Sequence, residues 1–190
     1  MTLLTKQNPI ASSYTAWSPG GRPIENWTID EDGHWQAELR SAAIGTWEFS
    51  QLFVEDQRRF RPRIPDSGYF HIAGDAAPTP AADSLRGDDR FQYARGSIDP
   101  SWENRSQLEL LAFHSWSASR LRIESLNTAR RTVTFTGPTW TQESYGRLQT
   151  GNRYIVTNVR EALDEPGEWY LDKTSGQLSY IPKSGESPGQ

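Results

Sequence analysis

Two groups of carboxylates stand close enough along the chain to be weighed as acid–base pairs: Asp88-Asp89, and Asp164 with Glu165 and Glu168. Cleaving a glycosidic bond takes two carboxyl groups about 5–10 Å apart, one to protonate the leaving oxygen and one to attack or to activate water. Neither group lies in an evident aromatic-walled cleft, so both read as solvated turn acids and helix-terminal charges. The histidines, His34, His71 and His114, fall on three separate strands, with no short spacing and no cysteine to complete a metal site. His114 reads instead as a hydrogen-bonded residue of a core or groove. The chain holds no G-x-S-x-G for a serine nucleophile, and no glycine-rich loop that would cradle phosphates. The expectation is therefore no catalytic residue, no cofactor and no metal in this chain.

Aromatics and arginines are the surplus. Sugar rings stack their C–H faces on Trp and Tyr, while guanidinium forks meet carboxylates in bidentate fashion. Trp27, Trp35, Trp102 and Trp140 fall in or next to turns, where a ring could be exposed. Arg59, Arg61 and Arg63 sit together and could meet acidic sugars. These seven residues are the candidate substrate contacts. The plainer expectation runs beside them: Trp47, Trp116 and Trp169 belong to the core, and the remaining tryptophans pack against protein.

The elements that must position these side chains are short strands. Trp27 to Leu39 reads as a hairpin turning at Glu31-Asp32-Gly33. Thr46 to Val54 reads as a strand whose parity slips, so a bulge is expected near Ser50 or Gln51. Glu55-Asp56-Gln57 turns it into Arg58 to Arg63, which Pro62 and Pro65 mark as an edge strand or covered loop. Gln107 to Trp116 is apolar on both faces and reads as a central strand, with Leu108, Leu110, Ala112, His114 and Trp116 sharing one side. Leu121–Leu126 and Thr132–Thr136 form a further hairpin. Asn158 to Glu165 reads as one or two helical turns capped by Asn158 and stopped by Pro166-Gly167. Glu168–Leu171 and Gln177–Ile181 form the last hairpin, with Trp169 facing Tyr180 and Leu171 facing Leu178. About ten short strands with almost no helix predict an all-β fold, an antiparallel β-sandwich or partly open barrel. Three segments are expected: an irregular stretch at 1–24, the β-domain at 25–182 with a mobile loop at 73–90, and a polar tail at 183–190.

The composition bounds the function. Only 35% of the 190 residues are hydrophobic, yet there are eight Trp, seven Tyr and seven Phe, so aromatics must fill much of the core. A net charge of −4 from 20 basic and 24 acidic residues gives no footprint for nucleic acid. No apolar run reaches membrane-spanning length. Without cysteine there is neither disulfide nor thiol chemistry. The opening MTLLTKQNPIASSYT lacks a basic region followed by an apolar one, so it reads as no signal peptide.

Residues 158–186, N-V-x-E-A-L-D-x-P-G-E-W-Y-L-D-x-x-x-G-x-L-x-Y-x-P-x-x-G-E, resemble the segment leading into the solenoid of bacterial secreted right-handed parallel β-helix proteins of the pectate-lyase-like kind. The runs H-S-W-x-x-S-R-L-R-I-x-S-L and R-T-V-T-F-T-G-P resemble the same family, and the likeness covers roughly Gly20 to Glu186. Where relatives read Q-L-F-V-N-G-x-R, this chain has Glu55-Asp56 in place of Asn-Gly. Many members are glycoside hydrolases or lyases acting on polysaccharides. The resemblance implies an accessory antiparallel β-domain whose β-helix partner lies outside this chain, since no 20–30-residue repeat occurs here. It implies a polysaccharide or oligosaccharide as ligand, and a secreted or periplasmic parent. Family catalytic acids project from β-helix coils, so none carries over. The rival readings are a stand-alone carbohydrate-binding module, a purely structural insert docking by an apolar patch, and a small self-contained enzyme.

Overall fold

The computed structural model of the chain describes residues 3–6 and 21–188. The described chain is all-β. Its strands are β1 (Leu3–Lys6), β2 (Gly21–Ile24), β3 (Thr28–Ile29), β4 (Trp35–Glu38), β5 (Leu52–Val54), β6 (Gln57–Arg59), β7 (Arg63–Ile64), β8 (Phe70–Asp75), β9 (Arg90–Tyr93), β10 (Glu109–Phe113), β11 (Ala118–Asn127), β12 (Thr132–Phe135), β13 (Arg153–Thr157), β14 (Trp169–Asp172) and β15 (Gln177–Tyr180). Among the described residues helix is confined to α1 (Arg40–Ala43), α2 (Pro80–Ser84) and two single 3₁₀ turns, Arg105–Gln107 and Arg160–Ala162. Among the described residues every strand pairing is antiparallel, apart from one isolated parallel bridge between Phe60 and Glu168.

The chain divides into two compact units, Met1–Pro62 with Leu163–Gln190, and Arg63–Ala162 between them in sequence. In the first, the sheets β2-β1-β5-β6 and β14-β15-β4-β3 enclose one core. That core is aromatic, as the composition requires. Phe49 stacks on Trp169 at 5.5 Å and 19°, and Trp35 meets Tyr180 edge-on at 5.4 Å. Pairs of this kind stabilise by about 0.5–1.5 kcal/mol beyond their burial. The last hairpin has the expected register, Trp169 opposite Tyr180 and Leu171 opposite Leu178. Gly176 turns it at φ +78°, and a Cβ there would lie 2.5 Å from the Leu39 carbonyl oxygen. Only glycine meets both demands.

The second unit is a closed barrel. Its strands run β10-β11-β12-β9-β8-β13, and β13 pairs back onto β10. Leu110 thus faces Leu121 on one side and Val156 on the other. The interior is filled by Ile72, Phe91, Leu110, Val133, Phe135 and Tyr154 among others, all 2% exposed or less. The expected central strand, β10, is central, and closure removes the free edges that a partly open barrel would leave.

Several expectations are corrected. Leu3–Lys6 and Gly21–Ile24, inside the stretch read as irregular, pair as antiparallel strands; residues 7–20 and the reading of them lie outside the described residues. The strand expected from Thr46 is limited to Leu52–Val54, because α1 precedes it and Ser41 O binds the N–H groups of Thr46 and Trp47. The 73–90 stretch contains the end of β8 and all of α2, capped by Thr79, whose Oγ1 accepts from Ala82 N–H. Asn158 does not cap a helix: it lies at φ +63° and donates to Gln107 O. In the polar tail, Glu186 is tied down by Arg59 and Tyr180.

Candidate functional site

The site grows from the end of β10. Past Phe113 the chain turns back at once, His114 N–H closing on Ser117 O at 2.9 Å. Trp116 rides on this turn with 78% of its surface exposed, whereas strand parity places it in the core. Parity misleads here because the strand stops three residues before Trp116.

Opposite it runs the long β12–β13 connection, residues 136–152, carrying Trp140 and Tyr145. Tyr145 stacks on Trp116 with centroids 5.4 Å apart and planes 18° from parallel, and it touches Trp140 at 5.2 Å and 41°. Trp140 is 67% exposed. The three rings therefore form one contiguous platform, Trp116 and Trp140 open to water and Tyr145 half-buried between them.

Buried polar contacts fix the loops beneath. Ser117 Oγ donates to Tyr145 O at 2.5 Å. His114 is buried and joins both loops: one ring nitrogen meets Arg147 O at 2.9 Å and the other Ser119 Oγ at 2.8 Å. A carbonyl only accepts, so Nδ1 carries the proton and Nε2 accepts from Ser119. Burial holds the His114 pKa below its ordinary value, against opposing pulls from the Arg147 carbonyl and the Asp88 charge. Asp88 Oδ2 accepts from Leu148 N–H at 2.9 Å, and the Asp88 and Thr139 segments are cross-linked by Thr139 N–H to Asp88 O and by Asp88 N–H to Thr139 Oγ1. Gly146 lets the loop close tightly, since a Cβ there would lie 2.5 Å from Thr141 Cγ2 and 3.4 Å from Trp140 Nε1. Rings held this way lose little freedom when a ligand arrives.

The sequence candidates scatter. Trp140 alone presents an exposed ring. Trp35 is 2% and Trp102 9% exposed, and Trp27 is partly buried against Trp35 with its indole N–H on Ile24 O. Arg59 is buried, paired with Glu186 and Tyr180. Arg61 lies over the Trp169 ring at 4.9 Å. Arg63 donates to the carbonyls of Pro65 and Gly68. The three arginines brace the fold and do not form the sugar-facing row that their spacing suggests. Trp47 and Trp169 are core, as expected.

The carboxylates also serve structure. Asp88 and Asp89 are buried, not solvated, and Asp89 accepts from Thr79 N–H at 2.9 Å. Burial pushes the Asp88 carboxyl above its ordinary pKa. Glu168 receives the N–H groups of Asp164 and Glu165, both at 3.3 Å. Among the described residues no three His, Asp or Glu side chains gather as metal ligands.

Residues 93–183 match the GH141 insertion domain. The matched stretch holds Trp116, Trp140 and Tyr145. Among solved structures, a chain titled "Glycoside hydrolase" is similar over 87% of this chain, with a TM-score of 0.61 and 19% identity. That likeness is one of fold, and this chain covers 29% of the length of the solved one. No curated protein sequence matches. The similarity is thus to an accessory part of a glycoside hydrolase.

Proposed function

We propose that this chain is a non-catalytic accessory β-domain of a polysaccharide-degrading glycoside hydrolase, and that Trp116, Tyr145 and Trp140 hold sugar rings for a catalytic centre elsewhere in the parent. The carrying observation is the exposure of Trp116 and Trp140 on either side of the half-buried Tyr145, on loops that buried bonds hold in place. A protein surface gains about 25 cal/mol for each Å² of apolar area covered, so such a patch is built to be covered. The exposed faces of Trp116 and Trp140 suit the axial C–H groups of pyranose rings. The chemistry is placed outside because the carboxylate pairs that the sequence offers, Asp88-Asp89 and Asp164 with Glu165 and Glu168, are bound to backbone N–H groups or lie in turns outside the loops that carry the platform. The match over residues 93–183 supports the glycoside hydrolase context. The motif at 158–186 supports a secreted parent built on a right-handed parallel β-helix, against which this domain packs.

The test is a pair of assays on the purified chain. Retardation in gels containing soluble polysaccharide should be visible, while release of reducing sugar should be absent. Turnover that is lost on replacing Asp164 or Glu168 would overturn the reading. Absence of retardation, with protection of Trp116 and Trp140 only in the full-length parent, would assign the platform to docking.

A further inference from the structure

A second site lies in the barrel unit, where β9 ends beside the turn between β11 and β12. A cleft of about 250 Å³ opens there, lined by Tyr93, Arg95, Ile98, Pro100, Thr128 and Arg131. That is just below the ~300–1,000 Å³ of drug-sized sites and has room for one sugar unit. Its polar groups are free to take a ligand. Neither Arg95 nor Arg131 makes an ion pair or side-chain hydrogen bond among the described residues, and both are exposed at the cleft. Tyr93 is 4% exposed, and its hydroxyl also makes no hydrogen bond among the described residues. Asp99, the carboxylate nearest in sequence, is turned away onto Ser101 N–H and Oγ at 2.8 and 2.7 Å.

The frame is rigid. Tyr93 N–H donates to Arg131 O at 2.8 Å, which fixes the turn carrying one guanidinium against the strand carrying the phenol. Ser97 Oγ contacts Ala94 O and the buried Tyr154 hydroxyl, pinning the turn that carries Arg95. Burial raises the Tyr93 pKa and the Arg131 charge partly offsets it, so the guanidinium field reaches the hydroxyl.

We infer that this cleft is a subsite for one anionic sugar unit, its carboxylate or sulfate ester held by Arg95 and Arg131 and a ring hydroxyl by Tyr93. Two guanidiniums and a phenol on an apolar floor of Ile98 and Pro100 match a pyranose carrying a single anionic group. That the ligand is a sugar rests on the function proposed above; that it is an anion rests on the cleft alone.

The experiment is calorimetric titration of the whole chain with trigalacturonate, a sulfated galactose trisaccharide and neutral galactotriose. The variants are Arg95→Gln with Arg131→Asn, chosen because Arg131 sits at φ +50° where Asn is tolerated, and Tyr93→Phe. One of the two anionic ligands should bind, weakening at least tenfold in the arginine double variant and steeply with salt; which one binds identifies the group. Trp116→Ala with Trp140→Ala should abolish neutral-glycan binding and leave the anionic step. Loss of that step in the tryptophan variant but not in the arginine variant would overturn the subsite and keep the platform. Anionic binding lost only in the arginine variant, with no neutral binding in any protein, would keep the subsite and overturn the platform. No anionic binding by the unaltered chain would sink the subsite outright.

Discussion

Trp116 lies face to face with Tyr145, 5.4 Å between centroids and 18° from parallel, though the two residues come from different loops and Trp116 is 78% exposed. An exposed ring stacked on a half-buried one is expected to contribute to binding far more than to folding. Trp116→Ala should change the unfolding free energy by no more than ~0.5 kcal/mol, as surface substitutions do. Trp169→Ala, fully buried against Phe49, should cost ~3–5 kcal/mol. Urea unfolding of the two variants separates these. A large loss on removing Trp116 would mean that the ring is structural.

Gly146 tests how tightly the platform is held. A Cβ at this position would stand only 2.5 Å from Thr141 Cγ2, so Gly146→Ala should displace Trp140 while leaving the barrel core intact. Near-ultraviolet circular dichroism should lose part of the aromatic signal with the far-ultraviolet spectrum unchanged. Identical near-ultraviolet spectra would show that the loop is looser than its contacts imply.

His114 makes the loops pH-sensitive. Its folded pKa lies below its ordinary value near 6.5, because burial penalises the cation. The unfolded chain therefore takes up the proton first, and stability should fall as pH drops below that value. Asp88, raised by burial, titrates in the opposite sense, so the His contribution is read from the difference between the unaltered chain and His114→Gln. The variant should show a smaller fall in urea midpoint between pH 7.5 and 5.5. An equal fall in both proteins would assign the acid sensitivity elsewhere.

The Arg59–Glu186 pair, with side chains 2% and 5% exposed, ties the segment after Pro182 to its unit. Burial alone would push the Glu186 pKa up, but Tyr180, Lys183 N–H and Arg59 together hold it below its ordinary value. Its stabilising contribution is thus complete above the usual carboxylate range and lost as pH falls through it. Glu186→Ala, which strands a buried guanidinium, should cost ~3–5 kcal/mol by urea unfolding at pH 7. A cost under about 1 kcal/mol would mean that solvent reaches Arg59.

Much of this architecture is written locally. The β14–β15 register follows from alternation around Asp172–Gly176, and the β5–β6 hairpin is legible from its turn. Glu55 and Asp56 take that turn at φ +51° and +60°, the backbone that Asn-Gly would adopt with less strain. What is not legible depends on distance. Barrel closure joins β10 to β13, some forty residues apart, and no periodicity encodes that pairing. Arg59 reads as a ligand contact because its partner, Glu186, is 127 residues away. Asp88 reads as solvated because the loop that buries it, around Thr139 and Leu148, lies fifty to sixty residues on. Of the platform, only Trp140 stands out in the sequence. Trp116 looks internal by parity, and Tyr145 offers no sequence signal until the loops are seen together.

Whether the platform binds sugar is settled most simply by intrinsic tryptophan fluorescence of the chain titrated with a series of neutral oligosaccharides. A glycan-holding platform gives a saturable shift that Trp116→Ala, Trp140→Ala or Tyr145→Ala each weakens at least tenfold. A flat response, or a saturable one untouched by all three variants, would rule out sugar binding by these rings.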